Sequence, residues 1–389
     1  MQTTFLILFV VATGVAVIAR RFGLPYTVAL VLAGLALGAL ENFKGPELTP
    51  ELLFTFILPG LLFEAAFHID FELFWKSKLG IIGLALPGVA AGVAITAALL
   101  GLAVPTLGFI AALVFAAVTA ATDPIAVVAL FKSVGAPARL TVLVDGESLL
   151  NDGTGMVLFT VVLAMATGAA TGLLQGTLDF VRIAGGGALI GLTIGWLGAR
   201  LTQRLDDPMV EITLTVLVAY GSFVAADRLH LSGVIATVVA GMLFGNQAVK
   251  KAMSPSTLVA VKSFWEYVAF ALNSIVFLLI GLEVRLTALL ASAPAILLAY
   301  LAMMLARAAI VFGASLVLRK TQERFSRQWA AVITWAGLRG ALSMVLALSI
   351  PASLPYRELL VNMTFGVVVL SIVVQGLTMR PLMKWLKVS

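Results

Sequence analysis

Long apolar segments recur from one end of the chain to the other, interrupted only by short polar or Pro/Gly-containing breaks. They lie at roughly 3–19, 25–40, 50–67, 79–101, 107–131, 140–166, 180–202, 209–227, 231–246, 258–283, 290–318, 329–350 and 358–380, and several approach the 20 or so residues that a helix needs to cross a hydrocarbon core. The shorter segments fit within a bundle. Of the 389 residues, 61% are hydrophobic and 11% charged, where a soluble domain is about half apolar and a quarter charged. The expectation is an all-α integral membrane protein with about 13 transmembrane helices.

The basic residues support this count. With the N-terminus outside, eighteen of the 25 basic residues fall in inner loops and five in outer loops, a strong positive-inside bias. Arg307 and Arg339 lie within spans. Residues 4–19 are followed, not preceded, by Arg20 and Arg21, which is the reverse of a secretory signal. We therefore expect an uncleaved first span, a multi-pass protein of the cell membrane and a cytoplasmic C-terminus. No soluble domain is expected at either end.

The net charge of +6 follows from this topology and is no sign of a nucleic-acid partner. With no cysteine and two histidines, His68 and His230, thiolate chemistry and a His-rich metal site are excluded. There is no GxxxxGK[ST] loop, so no nucleotide is expected.

Polar residues inside these spans are costly and require a reason. The densest group runs Asp145-Gly146-Glu147-Ser148-Leu149-Leu150-Asn151-Asp152-Gly153-Thr154 in the sixth span. On a helix, Ser148 and Asp152 share a face, as do Glu147 and Asn151. Glu147 and Asp152 lie roughly 140° apart around the axis, so they are not expected to form a paired-carboxylate site. Asp145, near the inner end of the span, reads as a solvated or capping residue.

Thr122-Asp123-Pro124 interrupts the fifth span. Proline cannot donate its N–H and its ring crowds the preceding turn, so the helix should kink or unwind there. A plain proline kink is the simpler reading, but an aspartate at the break favours a functional one, because broken helices in transporters present backbone groups to ions. Arg339 lies between Gly337 and Gly340 in the twelfth span. A buried guanidinium needs a carboxylate or several carbonyls, and the candidates for Arg307 and Arg339 are Glu147, Asp123 and Glu64. A structural ion pair beside the site is compatible with function, since it tunes the remaining acid.

The breaks in spans five and twelve occupy matching places if spans 1–6 and 8–13 are repeats. This suggests one transmembrane domain over 1–389, with a first repeat at about 3–166, a connecting helix at about 180–202 and an inverted second repeat at about 209–380. Oxygen-rich, thiol-free groups suit hard cations. One accessible carboxylate can hold either a proton or a small monovalent cation, and with alternating access that competition is an exchange mechanism. A cation channel would use the same acidic lining without coupling. An intramembrane hydrolase is disfavoured, because both histidines lie near span ends and no GxSG stretch is present.

Thr122-Asp123-Pro124 and Gly146-Glu147-Ser148-Leu149-Leu150-Asn151-Asp152-Gly153-Thr154 together closely resemble the monovalent cation/proton antiporter-1 family. That family includes bacterial NhaP-type exchangers, animal sodium/proton exchangers and plant plasma-membrane salt-tolerance exchangers. Phe56-Ile57-Leu58-Pro59-Gly60-Leu61-Leu62-Phe63-Glu64 and Gly337-Leu338-Arg339-Gly340 also look like family motifs, in the expected order. The resemblance spans essentially the whole chain. It implies a fold in which broken helices five and twelve cross beside helix six. It implies that Asp152 binds the cation or proton, that Ser148 adds a hydroxyl and Thr122 a backbone oxygen as ligands of the monovalent cation, and that Asp123 acts directly or through water. Glu147 would pair with Arg339, with Asn151, Arg307 and Glu64 in support. No cofactor is implied beyond the transported Na+, Li+ or K+ and H+. Asn151, where electrogenic relatives carry a second Asp, implies electroneutral one-for-one exchange, and a homodimer in membrane lipid is the usual assembly. Gly60 departs from the proline common at that position, and nothing in the motifs separates sodium from potassium or lithium.

Overall fold

The computed structural model describes residues 2–22, 24–39, 49–168, 173–205, 207–251 and 253–388. All regular secondary structure among them is helical. Among the described residues, eight helices are long and apolar enough to cross a bilayer: Pro50–His68, Lys78–Ala103, Ala138–Ala166, Gln175–Thr202, Pro208–Arg228, Pro255–Glu283, Ala293–Lys320 and Arg357–Leu386. Shorter apolar helices include Tyr26–Gly38, Phe109–Val118 and Ile125–Val134. Lys44, one of the five basic residues expected in outer loops, lies outside the described residues.

Helix starts follow local chemistry. Asp207 accepts from the N–H groups of Met209 and Val210, Ser254 from that of Thr257 and Ser326 from that of Trp329. Each side chain satisfies a first-turn donor that has no partner within its own helix. Pro208 and Pro255 then occupy first-turn positions where a missing N–H costs nothing.

Apolar side chains cannot hold helices together by the hydrophobic effect when lipid is equally apolar, so close backbone approach matters more. Gly34 and Gly281 show this where Tyr26–Gly38 crosses Pro255–Glu283. A Cβ on either glycine would collide with the other helix, at Leu278 O for Gly34 and at Val31 O for Gly281. Outward faces carry exposed apolar residues, such as Leu178, Val181 and Leu189 on the helix Leu173–Thr202, as expected of a surface facing lipid or another apolar partner.

Two spans are broken. The fifth predicted span divides into Phe109–Val118 and Ile125–Val134, and the twelfth into Arg327–Trp335 and Ala341–Leu348. The first unwinding begins several residues before Pro124, so the break is an unwound segment over 119–124 rather than a kink. The helix Ala138–Ala166 runs beside both breaks without interruption. Each break leaves backbone donors and acceptors without helical partners, and in an apolar interior those groups must be satisfied elsewhere.

Candidate functional site

The two unwound segments satisfy each other directly. The Asp123 N–H donates to the Leu338 carbonyl at 2.8 Å. The Asp123 carboxylate accepts from the Ile125 N–H at 3.2 Å, capping its own half-helix. It also lies against Gly340, where a Cβ would collide with the carboxylate. Negative charge is thus placed where the N-terminal ends of two half-helices carry positive partial charge.

Arg339 performs the opposite task. Its Nη1 donates to the carbonyls of Ala120 and Ala121 at 2.8 and 2.9 Å, at the unwound C-terminal end of Phe109–Val118. Its Nε donates to Met303 Sδ at 3.0 Å, and its backbone N–H donates to Ser371 Oγ at 3.0 Å. Ser371 opens a π-helical turn, Ser371–Gln375, in the helix Arg357–Leu386. The glycines around Arg339 now have a reason. A Cβ on Gly337 would come within 2.9 Å of Arg307 Nε, and one on Gly340 would meet Asp123.

The expected pairing of Glu147 with Arg339 is not what the structure shows. Glu147, 1% exposed, is held by Arg307 through two parallel bonds, Nη1 to Oε1 and Nη2 to Oε2, each 2.7 Å. Bidentate geometry of this kind is the strong form of a guanidinium–carboxylate pair. Arg339 is drawn instead to the carbonyls freed by the first break. Glu64 reaches neither arginine. Its Oε1 lies 3.1 Å from His68 Nδ1, one turn along the same helix.

Asn151, fully buried, joins the ion pair to the break. Its Nδ2 donates to Glu147 Oε1 at 2.9 Å and to Thr122 Oγ1 at 2.6 Å, while its Oδ1 accepts from the Thr122 N–H at 3.1 Å. The Ser148 hydroxyl donates to the Thr122 carbonyl. The oxygen expected from Thr122 and the hydroxyl expected from Ser148 therefore form one unit, with further lone pairs on both atoms free to face a cation.

A cavity of about 80 Å³ lies on this side of the crossing, lined by Thr122, Asp123, Asp145, Ser148, Asp152 and Ser343 among mainly apolar neighbours. Among the described residues, Asp152 makes no hydrogen bond or ion pair. Asp145 faces the same cavity, contrary to its reading as a solvated or capping residue. It lies seven residues before Asp152, close to two full helical turns, so the spacing held the signal. Ser343 was also missed; a serine in an apolar half-helix carries no distinguishing pattern. A second cavity, about 30 Å³, is lined by Arg307 and Arg339 with Thr96 and Thr119. The crossing thus separates an acidic cavity from a basic one.

Residues 5–385 match the family model described as sodium/hydrogen exchanger, transmembrane. The chain is 39% identical over 395 residues to the low-affinity Na(+)/H(+) antiporter NhaS1 of Synechocystis, covering 98% of this chain and 74% of that protein. It is 30% identical over 401 residues to sodium/hydrogen exchanger 7 of Arabidopsis thaliana, covering 95% of this chain and 35% of that protein. The fold is similar to that of the sodium proton antiporter MjNhaP1 from Methanocaldococcus jannaschii, with a TM-score of 0.80 at 20% identity over 97% of this chain and 96% of that one. With a family model spanning nearly its whole length and relatives this similar, the chain belongs to the sodium/hydrogen exchanger family.

Proposed function

We propose that this protein exchanges sodium, or another small monovalent cation, for protons by alternating access, with both ions competing for Asp152. The observation that carries this reading is the contrast between Asp152 and Glu147 on one helix. Glu147 is neutralised by Arg307, whereas Asp152 faces a cavity with no protein partner among the described residues. Around it stand the Ser148 hydroxyl, the Thr122 carbonyl and Asp123, an all-oxygen set that suits a hard cation. Relatives named as Na(+)/H(+) antiporters support the choice of ions.

One-for-one, electroneutral exchange follows from one unpaired carboxylate doing the carrying while Asn151 contributes no charge. About thirteen spans in two inverted six-helix repeats, a cell-membrane location with the N-terminus outside and the C-terminus cytoplasmic, and a homodimer complete the proposal. The positive-inside bias and the pair of crossing breaks support it. Potassium/proton exchange on the same fold differs only in ion preference.

The test is purified protein in liposomes with an imposed pH gradient, read by dequenching of a pH-sensitive dye on addition of lithium, sodium or potassium. Sodium-driven proton movement that is indifferent to membrane potential clamped with valinomycin is the expected result. Competition predicts that the apparent KM for sodium rises as pH falls, because the proton occupies the carboxylate that sodium needs. A sodium current without proton movement would make the protein a channel. A rate that follows the clamped potential would defeat one-for-one stoichiometry.

A further inference from the structure

Among the described residues, many buried hydroxyls bond back to their own helix. Thr154 donates to Leu150 O, Thr334 to Ala330 O and Thr364 to Leu360 O, each four residues earlier. Ser343 differs. It is 0% exposed, yet its Oγ has no hydrogen-bond partner among the described residues. The reason is local. Ser343 is the third residue of the half-helix Ala341–Leu348, and four residues before it stands Arg339, in the unwound segment. The break that brings Asp123 and Arg339 together also removes the carbonyl that Ser343 would otherwise use.

An unpaired buried hydroxyl is destabilising unless something outside the protein's own groups meets it. Ser343 lines the cavity that also holds Asp152, Asp123, Asp145 and Ser148, and it does so from the second broken helix, whereas the oxygens considered above come from the first break and from Ala138–Ala166. Its hydroxyl has lone pairs to offer a cation. The positive partial charge at the start of its half-helix is offset by the Asp123 carboxylate packed against Gly340. The cavity, about 80 Å³, has room for a cation and a few waters, so protein oxygens and waters can share its coordination.

Resting on the antiport reading, we propose that Ser343 Oγ is a ligand of the transported cation when Asp152 holds it, contributed by the second broken helix. It ties that helix to cation occupancy and helps to set the affinity for sodium. Proton binding at Asp152 does not require it.

The experiment compares Ser343→Ala with the parent protein in liposomes and in detergent, with sodium chloride as the probe. The expected result has three parts: an apparent sodium KM raised about tenfold, equivalent to about 1.4 kcal/mol; a smaller sodium-induced rise in melting temperature; and a sodium-free melting temperature equal to or above the parent's. The last part separates a ligand from a structural hydroxyl, because removing an unpaired group leaves no partner stranded. An unchanged sodium KM, or a lower melting temperature without sodium, would overturn the assignment. If the parent protein itself showed no sodium-driven proton movement, the antiport reading would fail first, and that outcome is read in the same assay.

Discussion

Glu147 and Asp152 sit five residues apart on one uninterrupted helix, yet their surroundings are opposite. Glu147 is fully enclosed, bonded through both oxygens to Arg307 and again to Asn151. Asp152 faces a cavity shared with two further aspartates and has no protein partner among the described residues. The roughly 140° between them around the helix axis is enough to place them on different sides of the crossing. A carboxylate whose charge is already matched within the protein is unsuited to exchanging ions. One left without a protein cation must take its counter-charge from the cavity, as a proton or a metal cation. The difference teaches that burial alone does not make an acid functional; what distinguishes the two is whether the protein supplies the cation.

That comparison can be tested from both sides. The largest effect on stability is expected from Arg307→Ala, which strands Glu147 in an apolar interior. Removing one partner of a buried pair costs about 3–5 kcal/mol, so the melting temperature and the folded yield should both fall sharply. If Arg307→Ala were as stable as the parent, the claim that Glu147 serves the fold would break. Replacing both residues, as Glu147→Gln with Arg307→Met, should be milder than Arg307→Ala alone, since no unpaired charge remains.

Arg339→Ala should rank next. It leaves the Ala120 and Ala121 carbonyls without donors, and each stranded buried polar group costs about 1–3 kcal/mol. It leaves Glu147 paired, so it should be less damaging than Arg307→Ala, and thermal melts of the two variants decide the order. The reverse order would mean that the two freed carbonyls cost more than the unpaired Glu147 charge. Gly340→Ala comes third. Its methyl would press on the Asp123 carboxylate, and overpacking of this kind costs about 1–3 kcal/mol. The expected outcome is a folded protein whose sodium-driven proton flux is reduced more than its stability, read by flux and melting on the same preparation.

Much of this arrangement was legible in the sequence. The apolar segments correspond to helices because their lengths and the Pro/Gly breaks leave few alternatives. The unwound character of the fifth and twelfth spans could be read from Asp123-Pro124 and from the glycines around Arg339. Asp152 and Ser148 stood out through their spacing, and the structure brings them to one cavity with Thr122 and Asp123.

The choice between Arg307 and Arg339 was not legible from residue spacing. Both are arginines in apolar spans, and which guanidinium reaches Glu147 depends on how three helices cross. Family resemblance pointed to Arg339, but the freed carbonyls of the first break provide that residue with a different partner. Asp145 was hidden for another reason. Proximity to the end of a predicted span suggested solvent, but the seven-residue spacing to Asp152, close to two helical turns, brings it to the same cavity. Ser343 could not be found at all from sequence. Its significance lies in a missing hydrogen bond, and that absence becomes visible only once the break before it has a shape.

The central claim is that Asp152, and not Glu147, carries the exchanged ions, and Asp152→Asn tests it most directly. The substitution keeps size and shape while removing the charge, and no protein partner is stranded. The expected stability effect is therefore the smallest of the series, with a melting temperature at or above the parent's. The functional effect is the largest: sodium-driven proton flux in liposomes should be abolished. Flux surviving in folded Asp152→Asn would contradict the account.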